Sequence, residues 1–421
     1  MHVFLIPSWY PTRNEPVQGC FIREEALALG CVDEGAHVSV SLHGAGTYFL
    51  DPRSPMVSMR RFSRFWLACR QNVQALASSV IEIERPIIEW SPWLAGGNTR
   101  GMLSSHHANF VQAEQIYGRV DVIHAHVGYP GGWIAWQLSR RFRRPFIITE
   151  HMGPFPWRVF RKADGSLVDR LSASFRASAG NVAVSPALAN EMTRHGIPRI
   201  TIIPNLVDEE RFSPVSGARA GRDFVFFSLC HLVAQKGLEE LLRATARAMT
   251  EIPSIRLVIG GDGSLRKALE ILAGHLRISQ RVTWLGSVNP ASAPDHYQNC
   301  DAFILASRSE TFGVVCTEAL ACGKPVIATR CGGPESIVHE RNGFLVQNGD
   351  VDALAAAMVK IARNPERFRA EEIHRDFLER FSRPAVVRQS LALYRSVIAA
   401  SSQADRCLVK HNRNAAQVVT Y

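Results

Sequence analysis

Short apolar runs alternate with helix-length amphipathic segments along most of this chain. In the first half, runs fall at 2–7 (HVFLIP), 37–42 (HVSVSL), 120–125 (VDVIHA), 145–149, 181–184 and 200–203. In the second they fall at 224–229, 255–259 (IRLVI), 281–285, 301–305 (DAFIL), 324–328 and 343–346. Runs this continuously apolar suit parallel strands covered on both faces. Segments such as 238–250 (LEELLRATARAMT) and 352–363 (DALAAAMVKIAR) supply the covering helices. Strand and helix alternating in this way predict βαβ units and doubly wound parallel sheets.

The alternation breaks at 206–222, a polar stretch with Gly and Pro, and then restarts. It predicts an α/β protein of two doubly wound domains, 1–205 and 223–383, joined by a linker and facing across a cleft. A final helix is expected at 384–400 and a polar tail at 401–421. Ligands of such sheets bind beyond the carboxyl ends of the strands.

Composition excludes several classes. The 421 residues are 46% hydrophobic and 20% charged, ordinary for a folded soluble protein. No run approaches the length of a membrane-spanning helix. The opening Met1–Pro7 has no basic region of the secretory kind, so a cytoplasmic chain is expected. The nine cysteines are scattered and form no C-x-x-C pair, which argues against a disulfide framework or a zinc cluster. The net charge of +10 favours an anionic partner or a solvated basic surface. Residues 52–72 interleave Arg60, Arg61, Arg64 and Arg70 with Phe62, Phe65, Trp66 and Leu67. That composition fits a helix lying on an anionic membrane face; an ordinary surface helix fits it too.

The densest chemistry lies in 307–335, SRSETFGVVCTEALACGKPVIATRCGGPE. Glu310 and Glu318 flank Phe312-Gly313, after which a helix is expected to begin near Val314. Its free N–H groups would point at the carboxyl edge of the preceding strand, an arrangement suited to phosphate. Glu318, one turn into the helix, can accept two ribose hydroxyls. Lys236 stands in the loop between a strand and a helix, facing the same edge, where its point charge suits a diphosphate. His231, in the same loop, either donates to phosphate or simply packs. Gly261-Asp262-Gly263 forms a glycine-rich turn, in which Asp262 is also a candidate helix cap. In the first half, Gly19 precedes a helix and His151 follows a strand at the cleft edge. His124, His126 and His151 suggest a metal, but no helical H-x-x-x-H or cysteine partner supports one, and none is assigned.

At these residues the sequence resembles the retaining nucleotide-sugar glycosyltransferases of family 4, which have the GT-B fold. The likeness is carried by Glu310…Glu318 with Gly332-Gly333, by Lys236-Gly237, Gly261-Asp262-Gly263, Pro204-Asn205-x-Val207-Asp208 and Thr149-x-His151. The opening Ile6-Pro7-Ser8-Trp9-Tyr10-Pro11 looks like members that build bacterial surface polysaccharides. The resemblance implies that Lys236 binds the donor diphosphate and Glu310 contacts the transferred sugar. It places backbone at Phe312 and Gly313 beside that sugar, Glu318 on the ribose, His151 at the reaction centre and Gly19 against the phosphate. Where the family usually has Arg five residues before the lysine, this chain has His231. The donor implied is a UDP- or GDP-sugar and the acceptor a lipid-linked or oligosaccharide chain. No metal cofactor and no nucleic-acid partner are expected. A nucleotide-sugar epimerase shares this architecture, and a basic nucleic-acid-binding protein is the alternative from another class. A glycoside hydrolase fits poorly, because residues eight apart in a partly helical run lie about 10 Å or more apart along the axis.

Overall fold

The computed structural model describes residues 1–12, 17–32, 35–44, 54–60, 72–88, 98–215 and 223–417. Two sheets organise them. The first joins eight strands in the order β3-β4-β2-β1-β5-β6-β7-β8. Here β1 is His2–Pro7, β2 His37–Leu42, β3 Asn72–Ala77, β4 Val80–Glu84, β5 Val122–His126, β6 Phe146–Glu150, β7 Gly180–Ala183 and β8 Ile200–Ile202. The second joins six in the order β11-β10-β9-β12-β13-β14. These are β9 Phe224–Leu229, β10 Ile255–Gly260, β11 Val282–Gly286, β12 Ala302–Leu305, β13 Val326–Thr329 and β14 Gly343–Val346. Apart from β3, which runs antiparallel to β4, all the pairings are parallel.

This topology fixes where a ligand can sit. In the first sheet the order reverses between β1 and β5; in the second it reverses between β9 and β12. Helices leave such a switch point on opposite faces, which opens a crevice at the strand ends. The segments that follow these four strands carry Gly19, the His126 end of β5, Lys236 and Glu310.

The hairpin β3–β4 was not expected from the pattern. Its outer strand lies at the sheet edge with Val73 exposed, so NVQALA has no continuous apolar run to betray it. The basic-aromatic stretch expected to form an interfacial helix falls largely outside the described residues, which include only 54–60 and Asn72 of it.

The helix predicted over 384–400 runs instead from Arg383 to Gln417, through the stretch expected to be a polar tail. Pro384 sits at its start, and no Gly or Pro follows to stop it. Val386, Val387, Leu391, Tyr394 and Val397 bury against the first sheet, in one cluster with Val3, Leu5, Ile22 and Leu29. The chain therefore crosses between the domains twice, and the crossings lie side by side. The Val207 N–H donates to the Phe381 carbonyl at 3.0 Å. Arg383 pairs with Asp208, Glu209 and Glu210 at 3.2, 3.2 and 3.0 Å. Of the expected linker, 216–222 fall outside the described residues.

Candidate active site

The loops after β9, β10 and β12 stack tightly, and glycine makes this possible. Gly261 has φ +116°, and a Cβ there would lie 1.8 Å from the Cys230 carbonyl oxygen. A Cβ on Gly237, at φ +61°, would come 2.0 Å from the Ala306 carbonyl oxygen. Neither close approach is open to another residue. The first brings the turn after β10 under Leu232, whose N–H donates to the Asp262 carbonyl. The second seats the loop bearing Lys236 on the end of β12. Asp262 is exposed and its carboxylate accepts from the Gly263 N–H, so it shapes the turn; the next helix begins only at Arg266.

Lys236 and Glu310 meet there. Lys236 Nζ donates to Glu310 Oε1 at 2.5 Å, and Ser307 Oγ donates to the same oxygen at 2.7 Å. The lysine and carboxylate side chains are 20% and 14% exposed, so both reach solvent. Glu310 is fixed by its backbone: its N–H donates to Cys331 and its carbonyl accepts from Gly333. Phe312 is buried against Phe381. A Cβ on Gly333 would meet the Phe312 backbone at 2.3 Å, which accounts for the Gly332-Gly333 turn.

The helix Val314–Ala321 begins where expected, after Gly313 at φ +98°. Its first N–H groups have no partner in a preceding turn of the helix. Glu318, on this helix, accepts from the Tyr297 hydroxyl at 2.6 Å. Burial pushes the Glu318 carboxyl up to about 7, with the nearby Glu24 adding to the rise and Tyr297 and Arg211 opposing it. Glu24 belongs to the helix Cys20–Val32 of the first domain, and Arg211 bonds it at 2.9 Å while reaching the Pro290 carbonyl. Tyr297, Glu24 and Arg211 were not anticipated: each comes from a separate element and stands in no local motif.

His231 is exposed in the loop after β9. Gly19 has φ +68° and is packed under the Trp9 carbonyl at the start of its helix. His151 lies at the seam between domains, and its carbonyl accepts from Thr311 Oγ1 at 3.2 Å. Ser185 Oγ in turn donates to the Thr311 carbonyl at 2.6 Å. The imidazole of His151 is buried rather than open, stacked on His126 with their Nε2 and Nδ1 atoms 3.0 Å apart. Desolvation holds its pKa down to about 3. Glu150, inside the Thr149-x-His151 motif, was also missed. Its buried carboxylate accepts the N–H groups of Gly128, His151 and Met152, which sets the course of both crevice loops.

With this geometry in place, comparison with known proteins is decisive. Residues 209–375 match the model for glycosyl transferases group 1, and residues 63–211 match that for glycosyltransferase family 4. The lipopolysaccharide core biosynthesis glycosyltransferase LpsE of Rhizobium meliloti is 33% identical over 343 residues, 77% of this chain and 93% of that protein. The chain is a family-4 glycosyltransferase. Its fold is GT-B: sucrose-phosphate synthase from Thermosynechococcus elongatus superposes with a TM-score of 0.71 at 21% identity, over 95% of this chain and 100% of that one. Anabaena HepE, solved with UDP, gives 0.67 at 20% identity over 94% and 99%. A GDP-mannose-dependent phosphatidylinositol monomannoside mannosyltransferase of Mycolicibacterium smegmatis is 32% identical over 181 residues, 39% of this chain. That match spans about half the length of the mannosyltransferase, 47%.

Proposed function

We propose that this glycosyltransferase moves a hexosyl group, with retention, from a UDP- or GDP-sugar to a lipid-linked or oligosaccharide acceptor in the synthesis of a bacterial surface polysaccharide. The observation that carries this reading is the Lys236–Glu310 pair beside the open end of the helix Val314–Ala321. Negative charge grows on the diphosphate as the sugar leaves. Lys236, the helix N–H groups and His231 are the groups that would stabilise it. Glu310 would hold the sugar and Glu318 the ribose. Gly19 brings the start of its helix to the phosphate from the opposite domain, and His151 backs the reaction centre. Closure of the two domains would keep water from the activated sugar.

The acceptor class draws support from the lipopolysaccharide-core relative. A membrane-bound acceptor also suits the exposed Met56 and Met59, which lie beside Arg60 within the basic-aromatic stretch. No helix among the described residues is long and apolar enough to cross a membrane. On this reading the protein works in the cytoplasm, at the inner membrane face, and binds no nucleic acid. The deciding experiment incubates the purified protein with a panel of UDP- and GDP-sugars and lipid-linked oligosaccharide acceptors, and determines the anomeric configuration of the product. An extended acceptor of retained configuration supports the reading. Free epimerised sugar without an acceptor contradicts it.

A further inference from the structure

Behind the cleft, β5 carries His124-Ala125-His126. Residues two apart on a strand share a face, so both imidazoles point the same way. The helix Cys20–Val32 covers that face and inserts Glu25 against them. Glu25 Oε1 lies 3.9 Å from His124 Nδ1, and Glu25 Oε2 lies 3.9 Å from His126 Nε2. One ligand atom from each of the three residues falls within 4.8 Å of the others.

A hydrogen-bonded histidine cluster accounts for part of this. The Tyr394 hydroxyl, from the last helix, is 2.8 Å from His124 Nδ1. It does not account for His126 Nε2, which is completely buried, aimed at Glu25 and without a hydrogen-bond partner. Leaving such a nitrogen unsatisfied is costly. Nor does any Lys or Arg among the described residues form an ion pair with Glu25.

We propose that Glu25, His124 and His126 bind one divalent zinc-type ion. Two imidazoles and a carboxylate are a donor set that zinc takes, with the Tyr394 oxygen or water in the fourth position. Ligands about 2.1 Å from a tetrahedral ion lie roughly 3.4 Å apart. The donors, at 3.9 Å from Glu25 to each histidine and within 4.8 Å throughout, would draw together by side-chain rotation on binding the ion. The outward nitrogens are already held, as they are around bound metals: His124 Nε2 by Thr149 Oγ1 at 2.7 Å, and His126 Nδ1 by His151 Nε2 at 3.0 Å. A small cavity lined by Glu25, His124, Thr149, Ser390 and Tyr394 adjoins two of the three donors. The ion would tie β5 to the first helix and the last, and through His126 it would fix His151. This site is separate from the diphosphate position at Lys236 and does not depend on the donor assignment.

The test uses the full-length protein. After growth with zinc and gel filtration, elemental analysis is expected to find about one zinc per chain. The stripped protein should take up Co²⁺ with visible absorption of four- or five-coordinate cobalt, and its Tm should rise with ZnCl₂ but not with MgCl₂. Glu25→Gln, which keeps the side-chain shape, should weaken Co²⁺ binding at least 100-fold. Wild-type protein that holds no zinc and gives no cobalt band overturns the proposal, as does undiminished binding by folded Glu25→Gln. If Glu25→Gln does not fold, His126→Gln replaces it with the same expected loss, and the wild-type measurements stand by themselves. Failure here leaves the donor reading intact, because nucleoside diphosphate binding is measured separately.

Discussion

Lys236 and Glu310, 74 residues apart in sequence, share a 2.5 Å charged hydrogen bond at the mouth of the crevice. The lysine is thus held in place by the carboxylate, which on the proposed reading competes for it with the donor's phosphate. Removing either partner should have a different effect. Lys236→Ala is expected to weaken nucleoside diphosphate binding and to slow transfer by about 10²–10³, the cost of losing a positioned donor of about 2.7–4 kcal/mol. Glu310→Gln should leave diphosphate binding unchanged or somewhat tighter, because the lysine is released, while transfer falls steeply. Calorimetry with the free nucleoside diphosphate beside turnover with the full donor separates them. Loss of nucleotide binding in a folded Glu310→Gln protein would remove Glu310 from the sugar.

Glu318 predicts a pH dependence. Its carboxyl is pushed up to about 7 in the folded protein by burial. The unfolded value is about 4.3. The folded state therefore holds the proton more tightly. Below the unfolded value both states are protonated and Glu318 imposes no penalty. As pH rises through 7 the folded protein loses relative stability, by at most about 4 kcal/mol. Thermal melts of wild type and Glu318→Gln should nearly coincide at pH 4, with the variant gaining on the wild type up to pH 8. A constant gap across that range would contradict the assignment.

How much of this was legible beforehand depended on range. Twelve apolar runs anticipated β1, β2 and β5 to β14, most of them because a strand buried on both faces must be apolar throughout, although the edge strand β8 is largely exposed. The edge strand β3 meets no such demand. Lys236, Glu310, Gly313 and Glu318 could be placed because each stands in a loop or first turn whose glycines signal the backbone. Tyr297 bonds Glu318, and the Glu24–Arg211 pair comes near it, only through tertiary packing, and nothing in their flanking residues records it. His151 was readable as a cleft-edge residue, but the inward turn of its ring depends on His126 across the sheet.

Gly261 should tolerate no side chain. Gly261→Ala adds a Cβ 1.8 Å from the Cys230 carbonyl oxygen at a φ of +116°. The backbone conformation alone costs about 1–3 kcal/mol, and the overlap adds to it. Chemical denaturation should show a loss of more than about 2 kcal/mol, whereas Gly165→Ala, with no atom near its Cβ, should cost less.

Transfer is expected to proceed without added Mg²⁺ or Mn²⁺. The motive is the proposed phosphate position between Lys236 and the helix start, which would supply charge without a diphosphate-bound cation. Turnover assayed after dialysis, with and without each cation, tests this. Strict dependence on either would mean that the leaving group is neutralised by metal. A zinc ion at Glu25 would not alter the result, since neither Mg²⁺ nor Mn²⁺ favours a site rich in imidazole.

The seam at Thr311 offers a way to alter closure without touching the donor. Thr311 lies between the domains: its hydroxyl donates to the His151 carbonyl at 3.2 Å and its own carbonyl accepts from Ser185 Oγ at 2.6 Å. These bonds join the two domains across the cleft, whereas the ion pairs of Arg383 lie at the chain crossings and would persist through a hinge motion. Thr311→Val removes one hydroxyl at nearly constant volume, and Ser185→Ala removes the other bond. Each neutral hydrogen bond is worth about 1 kcal/mol, or roughly a fivefold shift in a two-state equilibrium. Each variant should therefore populate the open form about fivefold more, seen as a larger radius of gyration in X-ray scattering. Free nucleotide binding, which on the proposed reading draws chiefly on the second domain, should change less, while kcat/KM for transfer falls by a similar factor. If scattering and transfer are unchanged in both variants, the seam does not govern closure.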